Sequence, residues 1–329
     1  MKNQKTPLGK KQESRKDKNG SKKLSIIANP AARKSSLRKV ELAAELLGGG
    51  GWAVEVMWTR ERGHATLLAK QAAAGGASLV VAAGGDGTFN EVMNGLTAGN
   101  EVMNDHTAGN EAGVPGGCRV PMALLPCGTT NVLAKELGVP EDAGGAVKKI
   151  LEGRVREIYL GNMAFPGGSS RRFFLMAGMG FDAEAVYQVN RRLKKLYGKA
   201  GYLTSGLKLL KDWAPEPKNA LIDGRRYFFS SLVVCKGARY GGYPKMAPDA
   251  SVEDAWLYAV VMSGRKRLDV LRYAMGVVTG RHTSFRDVSC LKCRSVQVQD
   301  TVRIQADGDY IGESPVLIET AKEKLKMVY

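Results

Sequence analysis

The sequence predicts an α/β fold in two parts: an N-terminal domain of alternating strands and helices, and a β-rich second domain. Three observations lead there. Short apolar runs alternate with amphipathic stretches over the first half of the chain. One of those runs ends in a glycine-rich turn that opens a helix. After about Gly153 the pattern changes to β-rich runs separated by Gly- and Pro-containing turns.

Leu24 to Ala28 is a short apolar run closed by Asn29-Pro30, which reads as a buried strand and a turn. Ser36 to Leu47 carries Val40, Ala43, Ala44 and Leu47 at helical spacing, and Gly48 to Gly51 terminate it. Trp52 to Trp58 is a second strand, His64 to Ala74 a second helix and Ser78 to Ala83 a third strand. Phe89 to Leu96 is a third helix, Met122 to Leu125 a fourth strand and Val132 to Leu137 a further helix. This alternation implies a mostly parallel sheet covered on both faces. Beyond Gly153, strands are expected at Arg172 to Met176, Tyr227 to Cys235, Trp256 to Met262, Ser295 to Gln299 and Val302 to Ala306. Helices at Ala183 to Tyr197 and Tyr202 to Leu210 interrupt them. The expected division is a basic tail over 1–22, an α/β domain over 23–155 and a β-rich domain over 156–329. The last segment is a candidate to return to the first domain, and the active site is expected in the cleft between the two.

Asn90 to Gly99 recurs as Asn100 to Gly109, with Gly95-Leu96 replaced by Asp105-His106. A step of ten turns a helix face by roughly 80°, so the copy cannot extend the same buried stripe. It reads as an inserted surface loop over 100–109.

The net charge of +17 on 329 residues favours anionic partners. Much of it sits in the first residues, which have almost no apolar side chains and are expected to be disordered. No apolar run approaches the roughly 18 residues of a spanning helix. Five cysteines do not suggest a disulfide framework, and Cys290-x-x-Cys293 lacks a second pair for zinc. The folded part shows no nucleic-acid recognition motif, so no nucleic-acid partner is expected.

The strongest chemical feature is Gly84-Gly85-Asp86-Gly87-Thr88, between a buried strand and a helix. Glycines allow close backbone approach, and a helix start offers free N–H groups to phosphate. No Gly-Lys-Ser/Thr follows, and the spacing is not that of a dinucleotide fingerprint. Asp86 is awkward in a phosphate cradle because a carboxylate repels phosphate, so a cation or water network is expected between them. Gly128-Thr129-Thr130-Asn131 also follows a strand and opens a helix, a second phosphate-facing turn.

Gly84 to Glu91 resembles the nucleotide motif of the diacylglycerol kinase catalytic domain family, a group of lipid kinases related to sphingosine and ceramide kinases. The resemblance extends through Asn29-Pro30, Thr59 with Gly63-His64-Ala65, Leu125 to Asn131, Gly178 to Ala183, Gly241 to Ala250 and Ala306 to Asp309, in family order. It implies a Rossmann-like α/β domain and a C-terminal β-sandwich. It also implies transfer of the γ-phosphoryl group of ATP, with Mg2+, to a lipid hydroxyl, most simply that of diacylglycerol. Carried over by residue, Asn29, Thr59, Gly85, Asp86, Gly87, Thr88, Phe89, Asn90, Glu91 and Thr129 are expected to contact ATP, and Asp307 to act as general base. A metal supporting the second domain is expected on Asp254 and the backbone oxygens of Ser251 and Trp256. Asp309 stands where the family usually has Glu, and Ala255 where it usually has Gly.

Val186, Val189, Leu193 and Leu196 form one apolar stripe, with Arg191, Arg192, Lys194 and Lys195 beside it. A basic amphipathic helix and a basic tail suit docking on an anionic bilayer, so the protein is expected in the cytoplasm, peripherally on membrane. The competing functions are a NAD kinase, which shares a Gly-Gly-Asp-Gly loop, a nucleotide-sensing pseudokinase and a basic nucleic-acid-binding protein.

Overall fold

The structure is a computed structural model describing residues 22–32, 36–97, 120–192 and 216–329. Residues 1–21 of the expected basic tail, the duplicated 100–109 segment and the predicted 202–210 helix lie outside the described residues; Lys22, expected in the tail, is the first residue of the first strand.

The first sheet is built from the predicted apolar runs. Strands β1 (Lys22–Ala28), β2 (Trp52–Trp58), β3 (Leu79–Gly84) and β4 (Met122–Pro126) pair in parallel in the order β2-β1-β3-β4. Every residue of β3 and β4 is buried, as expected for central strands covered on both faces. The helices α1 (Ser36–Gly49) and α2 (His64–Ala74) turn Val40, Ala43 and Leu47, and Ala65, Leu68 and Ala69, onto the sheet. The first two of the four glycines end α1; Gly51, at φ 87°, makes the reversal.

Helix α3 (Asp86–Thr97) begins three residues earlier than predicted, because β3 runs to Gly84 and Gly85 alone links the two. The amide of Phe89 donates to the Gly85 carbonyl at 3.0 Å, so the first helical turn is the glycine motif itself. Helix α4 (Val132–Glu136) follows the second glycine turn. Helix α5 (Ala143–Glu152), which sequence reasoning did not find, starts at an Asp142 cap whose carboxylate accepts from the Gly145 amide at 2.7 Å.

The sheet is completed by strands distant in sequence. The last strand, β18 (Leu325–Val328), lies between β4 and β5 (Val155–Ile158), parallel to the former and antiparallel to the latter. Leu325 and Met327 are fully buried there.

The second domain is two antiparallel sheets. One is β10 (Arg225–Phe229), β9 (Lys218–Ile222), β14 (Ser295–Val298), β17 (Val316–Thr320), β6 (Gly161–Ala164) and β7 (Ser170–Phe173), in that order. The other is β13 (Val288–Cys293), β12 (Leu257–Met262), β11 (Ser231–Cys235), β8 (Met176–Gly180), β15 (Arg303–Ala306) and β16 (Asp309–Glu313). Met163, Phe173, Ile222, Val296 and Ile318 from one face Met179, Leu232, Val234, Ala259 and Ile304 from the other, forming a sandwich core. Strand β11 alternates: Leu232 and Val234 enter the sandwich, while Val233 and Cys235 join the core of the first domain. One sheet therefore lies between the two domains, which is why β11 and β12 are apolar on both faces.

Two predicted runs are each two strands, since turns at Phe174-Leu175 and Ser230 break them. Helix α6 (Phe181–Arg192) begins two residues before the predicted start. Helix α7 (Arg267–Thr279), unpredicted, buries only Tyr273, Gly276 and Val277. Cys290 and Cys293 both lie on β13, one exposed and one buried; an odd spacing on a strand turns them to opposite faces, which does not suit a shared metal.

Because Met327 is buried in the middle of the first sheet, Met327→Ala should cost about 2–5 kcal/mol. Urea denaturation should show the lowered midpoint with the slope unchanged; an unchanged midpoint would mean the returning strand contributes little to the fold.

Candidate active site

The glycine motif and the second glycine turn meet backbone to backbone. The amides of Cys127 and Gly128 donate to the Gly84 carbonyl at 2.7 and 3.0 Å. A Cβ on Gly128 would lie 2.5 Å from the Gly85 Cα, so no side chain fits at that crossing. The starts of α3 and α4 thus sit side by side.

The Asp86 carboxylate is not directed at the phosphate position. Its Oδ1 accepts from the Leu133 amide at 3.1 Å and so caps α4. Burial raises its pKa, opposed by the amides of Leu133 and Val132 and by the charge of Lys135. The anticipated clash with phosphate is resolved by the neighbouring helix. Glu91 behaves similarly: its carboxylate accepts from the Gly63 and Ala65 amides, at 2.9 and 3.2 Å, at the start of α2. Asn29 caps its own turn through the Ala31 amide and donates to Thr88 Oγ1 at 3.3 Å. Thr59 and Thr88 are buried beside these turns, whereas Gly87 and Thr129 are exposed. Phe89 is 0% exposed and belongs to the core, so its side chain does not line the site.

The structure brings Asp307 to α3 from more than two hundred residues away. Its Oδ1 accepts from the Leu175 and Met176 amides at 2.9 and 3.2 Å. Its Oδ2 accepts from the Phe174 amide and from Asn90 Nδ2, both at 2.8 Å. All four lone-pair sites are taken. Burial raises the Asp307 pKa, and those hydrogen bonds pull it back. Its φ of 48° is left-handed, as Asp in an Asp-Gly turn tolerates.

Asp309, unlike Asp307, lines the cleft. A Cβ on Gly87 would lie 3.7 Å from its Oδ2, and Arg62 pairs with its Oδ1 at 3.2 Å. It lines a cavity of about 530 Å³ together with Glu91, Arg171, Phe165, Tyr310 and Ile311. Sequence reasoning noted Asp309 only as a departure from Glu, and missed Arg62, Arg171 and Lys39. Arg171 donates to Asn90 Oδ1 at 2.6 Å. The ammonium of Lys39 reaches the carbonyls of Pro126 and Glu141 beside Gly128. A lysine one turn into the helix after Asn29-Pro30 was the available signal.

The three residues expected to hold a metal do come together. The Trp256 amide donates to Asp254 Oδ1 at 2.6 Å, and the Asp254 amide to the Ser251 carbonyl at 3.3 Å. The buried Lys236 ammonium, however, donates to the Ser251 and Trp256 carbonyls at 2.7 and 3.2 Å. The two oxygens expected to bind metal already hold a cation, so this set does not fit one. Burial lowers the Lys236 pKa to about 8, with the Asp254 charge opposing.

Two family models match this arrangement. Residues 23–163 match the diacylglycerol kinase catalytic domain, and residues 176–329 match the YegS C-terminal NAD kinase beta sandwich-like domain. Residues 23–163 belong to the diacylglycerol kinase catalytic domain family. Among the family's curated members, a diacylglycerol kinase of Bacillus subtilis is 28% identical over 89% of this chain and 92% of its own length. A diacylglycerol kinase of Staphylococcus aureus is 27% identical over 89% and 88%. A Bacillus anthracis diacylglycerol kinase crystal structure superposes with a TM-score of 0.68 at 25% identity, covering 94% of this chain and 97% of that one. Another structure from that organism shares the fold at a TM-score of 0.72 and 23% identity, over 97% and 98% of the two chains. The two-domain family architecture, α/β then β-sandwich, is the one this kinase adopts.

Asp307→Asn would turn an amide N–H₂ toward backbone donors that now have an acceptor. Leaving them unsatisfied should cost about 1–3 kcal/mol each. Thermal unfolding of the variant should show a lower midpoint; a wild-type midpoint would mean that the network is not holding the two domains.

Proposed function

We propose that this chain is an ATP-dependent lipid kinase that moves the γ-phosphoryl group of MgATP to a lipid hydroxyl, with diacylglycerol as acceptor and phosphatidic acid as product. One observation carries the reading: the carboxylate of Asp309 lies against the start of α3 at Gly87 and also lines the neighbouring cavity. Donor phosphate on the α3 N–H groups and an acceptor hydroxyl near Asp309 would then be adjacent.

In this reading the amides from Gly85 to Thr88 and the turn at Gly128-Thr129 cradle phosphates, while Asn29 and Thr59 shape the same pocket. Lys39, Arg62 and Arg171 supply positive charge as negative charge builds on the transferring group. Phe165 and Ile311 give the cavity an apolar side for an acyl chain. The acceptor oxygen attacks the γ-phosphorus as its proton passes to a carboxylate; the bond to the β-phosphate oxygen breaks and ADP leaves. The family resemblance gives the proton to Asp307. The geometry favours Asp309, because Asp307 has no lone pair left to accept it; Asp307 is then a positioning residue for Asn90. The NAD kinase alternative has less support, since the catalytic-domain match is to the lipid-kinase family.

Access to lipid requires a membrane surface, and α7 offers one. Leu268, Leu271, Met275 and Val278 are 71%, 44%, 64% and 68% exposed, at spacings of three, four and three. Arg265, Lys266 and Arg267 flank its start and Arg281 its end, a combination suited to anionic bilayer. The side chains of the basic 191–195 stretch lie outside those described. No helix among the described residues is long and apolar enough to cross a membrane.

Incubation with MgATP, a lipid panel and NAD should put phosphate on diacylglycerol and not on NAD. Asp309→Asn should lower kcat by about 10²–10⁴-fold with KM for ATP little changed. Full turnover in that variant, with loss in a folded Asp307→Asn, would return the proton-accepting role to Asp307. In flotation assays, wild-type protein should bind anionic vesicles and a Leu268→Ser/Met275→Ser variant should lose most of that binding. Equal binding by the two proteins would exclude α7 as the docking face.

A further inference from the structure

The turn from Ser251 to Trp256 has the form of a cation cage: two backbone carbonyls and a carboxylate converge. We propose that the occupant of this cage is the Lys236 ammonium, and that the second domain of this chain is held together without a structural divalent metal.

Lys236 is 0% exposed, and burying an ammonium is costly unless it is hydrogen-bonded and offset by opposite charge. Both conditions are met. Its Nζ donates to the Ser251 carbonyl at 2.7 Å and to the Trp256 carbonyl at 3.2 Å. These are ordinary lengths for a charged N–H donor to a carbonyl. The Asp254 carboxylate supplies the opposite charge, and the Tyr159 ring lies 5.9 Å from Nζ. A divalent cation on the same carbonyls would press against a buried positive charge in a low-dielectric setting, where repulsion is strong. Among the described residues no other cluster of His, Cys, Asp and Glu has the makings of a metal site.

The cage has a structural job that an ammonium can do. Lys236 sits at the end of β11, where its own amide donates to the Leu175 carbonyl at 2.7 Å. The next two amides after Gly237, those of Ala238 and Arg239, donate to the Glu136 carboxylate of α4 at 2.8 and 3.1 Å. The Val252 carbonyl in the caged turn accepts from the Tyr159 amide at 2.7 Å. Lys236 therefore ties the 251–256 turn to β11 and, through the following loop, to the first domain. A tethered cation does so without a binding equilibrium, so the clip cannot be chelated away.

The test uses the full chain without nucleotide, so that magnesium carried by ATP does not enter. Plasma mass spectrometry of the desalted wild-type protein should find far less than one magnesium, calcium or zinc per chain. Its melting temperature should be the same in millimolar EDTA and in millimolar magnesium chloride. Lys236→Asn should melt lower in EDTA, by on the order of 5–10 °C, and recover part of that loss in magnesium, since the vacated carbonyls and Asp254 can then take the ion. Stoichiometric divalent metal in the wild type, or a wild-type melting temperature that falls in EDTA, would overturn the proposal; so would a folded Lys236→Asn variant with the wild-type melting temperature in EDTA. If the variant does not fold, the two wild-type measurements decide alone. None of these readouts involves phosphoryl transfer, so they stand or fall apart from the kinase reading.

Discussion

The buried carboxylate of Asp307 is the contact on which the arrangement of the two domains turns. It sits in a β-turn of the sandwich, accepts three amides from the Phe174-Leu175-Met176 link between β7 and β8, and accepts one side-chain donor from α3 of the first domain. A carboxylate removed from water must recover its hydration from fixed donors, and here the donors come from segments that are far apart in the chain. The same Asn90 is gripped by Arg171 and reaches Asn94, which in turn donates to the Arg172 carbonyl. Helix α3, the turn and the sandwich edge are thereby held in one frame. Asp309 follows in the same turn, and its approach to Gly87 depends on where Asp307 is held.

The glycine motif shows a second constraint of the same type. Two strand-to-helix turns must approach until their backbones touch, which only Gly85 and Gly128 permit. The acidic residues around them are then occupied by helix starts: Asp86 at α4 and Glu91 at α2. Their negative charge is spent on backbone N–H groups inside the protein, which leaves the N–H groups of α3 for an external anion. Positive charge enters from Lys39 and Arg62, which follow the Asn29-Pro30 and Thr59 turns, and from Arg171 on the second domain.

Lys236 extends the pattern to the second domain. The cage at Ser251 to Trp256 satisfies its carbonyls with a cation from the protein's own chain. Together with Glu136, which links α4 to the loop after β11, it stiffens the domain junction next to Leu175, whose amide donates to Asp307.

Much of this was written locally. The apolar runs of Leu24 to Ala28, Leu79 to Gly84 and Met122 to Pro126 determined buried parallel strands, and Gly84 to Thr88 determined a tight strand-to-helix turn, because both depend on side-chain character and backbone freedom within a few residues. The stripe of helix α7 is legible in the spacing of Leu268, Leu271, Met275 and Val278, but that it faces outward was not. The partners of Asp86, the saturation of Asp307, the approach of Asp309 to Gly87 and the meeting of Lys236 with Ser251 and Trp256 were decided only by tertiary structure. Each joins groups far apart in sequence, and a hydrogen bond or a buried charge is assigned by which atoms arrive at the same place, which no local pattern records.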